Sequence, residues 1–186
     1  MSAPALSRRL VIAGAAAALL PMREAIAQVR GGGDWLPMVR AHHQLIARSL
    51  QELVASTDRN FLQRDRLVRT VGYQLSAHSL AEENAIYPAL AMAGMKTASD
   101  RLYLDQGHAK VINAQLDLAV RLNREGRDWT EHAQALLASV MRHVVEDEER
   151  DLFPQLHRRL NAQQNAVIGQ TYAREFDLVR DPLREA

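Results

Sequence analysis

The chain has 186 residues, 24% of them charged, with a net charge near +1 and no cysteine. This length suits one domain with a sizeable core, and the charge balance offers no nucleic-acid footprint. The lack of cysteine excludes disulfides, thiolate metal sites and cysteine nucleophiles. Low aromatic content (5%) and abundant alanine and leucine favour helices over sheets.

Residues 1–27 read as an export signal. Ser7-Arg8-Arg9 precedes an apolar run, Leu10 to Leu20, and Ala25-Ile26-Ala27 supplies small residues at a cleavage point. The run is too short for a bilayer-spanning helix, which needs about 20 residues, so no stable membrane insertion is expected after signal removal. The paired arginines predict the twin-arginine route to the periplasm; an ordinary secretory signal holding two arginines is the other reading. Residues 28–34 form a linker with three consecutive glycines.

A bundle is predicted over 35–161. Asp34 caps the first helix, with Pro37 in its first turn and Val39, His43, Ile46, Leu50 and Leu53 recurring on its inward face. The second helix runs from Asn60 to about Ala93 and stops at Gly94, with Val71, Leu75, His78, Glu82 and Ile86 inward. Pro88 kinks this helix rather than ending it. The third, opened by Thr97 or Ser99 and ended by Gly126, is assigned the stripe Leu104, His108, Val111, Gln115, Leu118 and Leu122. The fourth, capped by Asp128 or Thr130, faces inward through Leu136, Val140 and His143. Residues 162–186 give an amphipathic helix and tail, with Ile168, Tyr172, Phe176 and Val179 covering an outer groove. The fold class is therefore all-α: an antiparallel up-down-up-down four-helix bundle with an extra C-terminal helix.

One motif occurs twice. His78 to Pro88 reads H-S-L-A-E-E-N-A-I-Y-P, and His143 to Pro154 reads H-V-V-E-D-E-E-R-D-L-F-P. His43 and His108 each lie thirty-five residues before the histidine that opens a copy. The repetition indicates a duplicated helix-loop-helix unit with ligand-type residues at matched places. Buried carboxylates repel one another, and a cation turns that repulsion into shared coordination. Imidazole with carboxylate, and no sulfur, suits iron, manganese or zinc. The second copy is one residue longer between histidine and proline, so counting from histidine gives Asp147 and counting from proline gives Glu148. An insertion of this kind is absorbed as a π-bulge, which selects Glu148. His132 and His157 fall outside the pattern and read as solvated, Glu83, Glu146 and Glu149 read as a charged helix face, and Tyr87 and Phe153 read as packing residues, Tyr87 able to donate a hydrogen bond. The Glu-x-x-His motif of ferritin-like bundles and the zinc-protease motif His-Glu-x-x-His are absent.

Across roughly residues 36 to 160 the chain resembles hemerythrin-like, or HHE cation-binding, domains. The resemblance rests on A-H-H-Q-L-I around His43, H-S-L-A-E-E with I-Y-P, G-H-A-K-V around His108, and H-V-V-E-D-E with L-F-P. It implies an antiparallel four-helix bundle with two non-haem iron ions bridged by two carboxylates, manganese or zinc being possible. Carried over by position, the ligands are His43, His78, Glu82, His108, His143 and Glu148. Oxygen carriers of the family hold another histidine where this chain has Leu104. Its loss opens a coordination place, for which water, Tyr103 and His42 are candidates. An open site implies reaction with, or sensing of, O2, peroxide or NO, including peroxidase-like or oxidase-like turnover, or iron handling. The alternative is a structural or sensory bundle holding a single zinc ion.

Overall fold

The computed structural model describes residues 34–57, 60–122 and 127–179. The expected export signal and nearly all of the linker lie outside the described residues, as does the expected helix end at Gly126. The described residues form six α-helices: α1 (Trp35–Val54), α2 (Phe61–Leu90), α3 (Lys96–Leu122), α4 (Trp129–Arg142), α5 (Phe153–Arg159) and α6 (Ala162–Leu178). Among the described residues there is no strand, and no helix is long and apolar enough to cross a membrane.

The helix starts are chemically explicit. The Asp34 carboxylate accepts from the Leu36 backbone N–H at 3.1 Å, and Asn60 accepts from that of Gln63. Asn161 and Gln164 form a reciprocal capping box at the start of α6. α2 continues through Pro88 to Leu90. A tight turn over Ala91–Met95, with Gly94 at φ 84°, then reverses the chain into α3, a conformation that favours glycine. α3 thus begins at once, and Ser99 is not its cap; its hydroxyl donates to the Tyr87 carbonyl at 2.8 Å.

α4 does not stop at Arg142. It passes into a π-helical stretch, His143–Leu152, and on into α5. The one-residue surplus of the second motif lies in that stretch, as the spacing argument expects.

α1 to α4 close a ring, each packing on its chain neighbour and α4 returning to α1, while α6 lies outside against α2 and α1. Two apolar cores stack inside. One contains Trp35, Met38, Val39, Ile86, Leu90, Leu102, Phe153 and Leu156; the other contains Ile46, Leu50, Leu53, Val71, Leu75, Ile112, Leu116, Leu136 and Val140. Each fully buried large aliphatic side chain contributes about 1.5–3 kcal/mol. α1 and α3 enter at the first core and leave at the second, whereas α2 and α4 run the opposite way. That alternation is the antiparallel arrangement. Between the cores, at mid-height on all four helices, lies a polar layer.

α3 is rotated from the expected orientation. Its buried residues are Leu102, Gln106, Ala109, Ile112, Leu116 and Val120. Leu104 (74%), Val111 (56%), Leu118 (55%) and Leu122 (77%) are exposed instead. Both sets have helical spacing but lie two residues apart, hence about 200° around the helix.

Candidate metal centre

α1 brings His43 to the polar layer, α2 brings His78 and Glu82, and the fourth helix brings His143 and Glu148. Glu82 and Glu148 have no solvent exposure, and the three histidines are buried with them. His43 Nε2 lies 3.4 Å from Glu82 Oε1 and 3.3 Å from Glu148 Oε2. His78 Nε2 is 3.2 Å from Glu82 Oε2, and His143 Nε2 is 3.1 Å from Glu148 Oε1. Each carboxylate therefore turns its two oxygens towards different imidazoles. One donor atom from each of His43, His78, Glu82 and Glu148 lies within 4.8 Å of the other three.

The π-helical stretch decides which acid enters. A plain helix would turn Asp147 inward, four residues after His143. With the wider turns Glu148 takes that place, and Asp147 faces outward to Arg101 at 2.7 Å.

Of the residues named from sequence, His108 does not join the others. It is exposed, because α3 turns the opposite face to the bundle. Two residues earlier on the buried face is Gln106, whose Nε2 donates to Glu82 Oε2 at 2.7 Å and to the Tyr87 hydroxyl at 2.9 Å. Ser79 donates its hydroxyl to Gln106 Oε1, which fixes the amide with its NH2 towards the layer. The third helix thus offers an amide where the resemblance implied an imidazole, and Leu104, being exposed, is not the position that matters. Tyr103 also stays outside, donating to the Glu83 carbonyl. His42 is buried but turned towards α6, with Nδ1 2.8 Å from the Tyr172 hydroxyl.

Tyr87 is more central than a packing residue. Its hydroxyl lies 3.0 Å from Glu82 Oε2, 2.9 Å from Glu148 Oε1 and 3.2 Å from His143 Nε2. Two of the histidines are also held from behind. His43 Nδ1 is 2.7 Å from Glu149 Oε1 and His78 Nδ1 is 3.0 Å from the Tyr172 hydroxyl, whereas His143 Nδ1 has only the Asp105 carboxylate nearby, 3.7 Å away and not hydrogen-bonded. Such partners orient an imidazole and fix its tautomer. Gln106 escaped the sequence reading, though its place on the second helical stripe of α3 was a signal, while Tyr172 was read only as covering an outer groove and Glu149 only as part of a charged face.

The charges are crowded. Burial, reinforced by the Glu148 charge, pushes the Glu82 carboxyl up to about 7. Burial would raise Glu148 as well, but His143 and His43 hold it far below the usual carboxylate range. Burial works against the charge on His143, yet Glu148, Glu82 and Asp105 together raise it to about 9. His43 is raised against burial by Glu148, Glu149 and Glu82. Burial, then the neighbouring His43 charge, lowers His42 to about 3 and takes His78 well below its ordinary value. The phenol of Tyr87 is raised by burial and both carboxylates, so it keeps its proton. Glu148 Oε2 and His143 Nδ1 are fully buried without a hydrogen bond. Opposed carboxylates and unsatisfied buried donor atoms are what a cation-binding layer presents when protein groups alone must balance it. The donor set of nitrogen and oxygen fits iron, manganese or zinc.

Comparison with known families matches the chain to the hemerythrin HHE cation-binding domain over residues 36–167. No curated protein and no solved structure matches the chain significantly.

Proposed function

We propose, from the premise that the chain belongs to the hemerythrin HHE cation-binding family, that the polar layer holds two non-haem iron ions and serves redox chemistry on a small oxidant. The observation that carries this reading is the pair of fully buried glutamates, each dividing its oxygens between two imidazoles. That arrangement suits carboxylates shared by two cations. His43 and His78 stand on one side of the pair, and His143 with the Tyr87 hydroxyl on the other.

Bound iron would supply one-electron redox chemistry; the chain's own residues shape what reaches it. Three imidazoles, with an amide from the third helix, leave more exchangeable positions than a carrier needs. This favours reaction with O2 or peroxide, or sensing of NO, over reversible carriage. Tyr87 holds a phenolic proton between the carboxylates, within reach of a small molecule seated there. Gln106 keeps an N–H donor on the same side. The two apolar cores above and below exclude bulk water.

Elemental analysis of protein from an iron-replete host tests the reading, with about two iron ions per chain expected. Anaerobically reduced protein should then be oxidised irreversibly by O2 or H2O2. Mainly zinc, or an oxygenated spectrum that vanishes when O2 is withdrawn, would overturn it. The four-residue group His43, His78, Glu82 and Glu148 also has the donor count of a single tetrahedral zinc ion, the second reading. The layer would then be structural and colourless.

We further read residues 1–27 as the signal for export to the periplasm. Peptide mapping of a periplasmic fraction should find a chain starting near Gln28; a full-length cytoplasmic product would refute this.

A further inference from the structure

Tyr172 belongs to α6, outside the four-helix ring, yet its hydroxyl touches two imidazoles at once: Nδ1 of His42 at 2.8 Å and Nδ1 of His78 at 3.0 Å. All three side chains are buried. Phe176, one turn further along α6, stacks on His42 with ring centroids 3.8 Å apart. A phenol has one proton to donate, and a neutral imidazole has one N–H and one acceptor nitrogen. For both contacts to be hydrogen bonds, Tyr172 must donate to one histidine and accept from the other.

The far side of His78 decides the order. Its Nε2 belongs to the four-residue group, 3.2 Å from Glu82 Oε2. An imidazole that gives its Nε2 lone pair to a cation carries its proton on Nδ1. His78 then donates to Tyr172, Tyr172 donates to His42 Nδ1, and His42 carries its proton on Nε2. Without a cation, His78 is free to keep its proton on Nε2 and donate it to Glu82. The order of the whole chain then reverses, and His42 must donate to Tyr172.

We propose that Tyr172 is a positioning residue that fixes the proton tautomer of His78, and that it thereby couples docking of α6 to cation binding in the polar layer. The inference rests on the cation-binding reading of that layer. Among the described residues the acceptor that the loaded form of His78 requires comes from α6, so a docked α6 tightens cation binding. By reciprocity a bound cation tightens the docking of α6. Partners behind a liganding histidine typically change metal affinity by about 10–100-fold.

The test uses the full chain with Zn(II) as a diamagnetic probe. Hydrogen exchange followed by mass spectrometry should show α6 amides better protected after Zn(II) loading. Ring 15N spectra of the loaded protein should show His78 protonated at Nδ1 and His42 at Nε2. Tyr172→Phe keeps the ring and removes the hydroxyl; it should weaken Zn(II) binding about tenfold or more and abolish the extra α6 protection. Should that variant fail to fold, the wild-type exchange and 15N measurements still decide the matter. Zn(II) uptake with unchanged α6 exchange, or His78 protonated at Nε2 when loaded, overturns this inference alone. A wild-type chain that takes up no cation overturns both it and the reading beneath it.

Discussion

Glu148→Gln removes one charge from the centre of the polar layer with little change of volume. Its carboxylate accepts from Tyr87 at 2.9 Å and pairs with His143 and His43 at 3.1 and 3.3 Å, all of them buried. Burial opposes the charge on His143, and Glu148 is the foremost influence raising it from 6.5 to about 9. A difference of about 2.5 units at 1.36 kcal/mol per unit is on the order of 3 kcal/mol. That meets the lower end of the roughly 3–5 kcal/mol lost when one partner of a buried pair is removed. For a domain of this size the metal-free protein should melt roughly 6–12 °C lower. Cation content should fall too, since one of the two shared carboxylates is gone. Asp147→Asn is the control. Its ion pairs to Arg101 and Arg142, at 2.7 and 3.7 Å, are partly exposed and worth about 0–1 kcal/mol. Calorimetric melts of the metal-free variants, with elemental analysis of the loaded ones, make the comparison. If Asp147→Asn proves equally damaging, or Glu148→Gln keeps its full cation content, the inward placement of Glu148 is wrong.

The metal-free protein should lose stability as pH rises from about 6.5 to 9. Glu82, raised from 4.5 to about 7, favours folding fully below 4.5 and loses that contribution through 7; His143, raised from 6.5 to about 9, loses its own between those values. Glu148, His42 and His78, all held low, act in the opposite sense, but their contributions are complete by about 6.5, so above that pH only the losses remain. Cation loading should flatten the slope, so melting temperatures equally steep with and without metal would contradict the account. Gln106→His should add an imidazole to the layer and alter the spectrum of the iron-loaded protein, whereas Leu104→His, 74% exposed, should leave it unchanged. His108→Ala should retain cation and shift stability by no more than about 0.5 kcal/mol, as an exposed position does. Loss of cation in that variant, read by elemental analysis, would return His108 to the centre.

Three of the four bundle helices were legible because each has one apolar face. Val39, Ile46, Leu50 and Leu53 on α1 leave little choice of orientation, and His43 follows from them. α3 has two such faces. Its buried one includes Gln106 and the small Ala109, while the exposed one carries three leucines and a histidine, so hydrophobic spacing alone selects the wrong side. Glu148 was legible only by counting from both ends of the motif, which exposed the surplus residue. Tyr172 and Glu149 were not legible as partners of His78 and His43. They come from distant parts of the chain, and their roles depend on how α6 and the π-helical stretch dock.

The π-helical stretch has a consequence for how this chain tolerates change in length. Leu136, Val140, Val144, Glu148, Leu152 and Leu156 are all buried, an unbroken series at intervals of four. In an ordinary helix each interval of four overshoots a full turn by about 40°, so five would swing the last residue roughly 200° from the first. The wider turns from His143 to Leu152 cancel much of that drift. The helix works as a vernier: residue count on one side is matched to turn count on the other, and both apolar cores stay aligned with the layer between them. A loop absorbs a gained or lost residue almost anywhere along its length. Here a single deletion between His143 and Leu152 would remove the surplus residue and return the stretch to ordinary turns, whereas a deletion elsewhere in the helix has no wide turn to draw on and would misalign one core with the other.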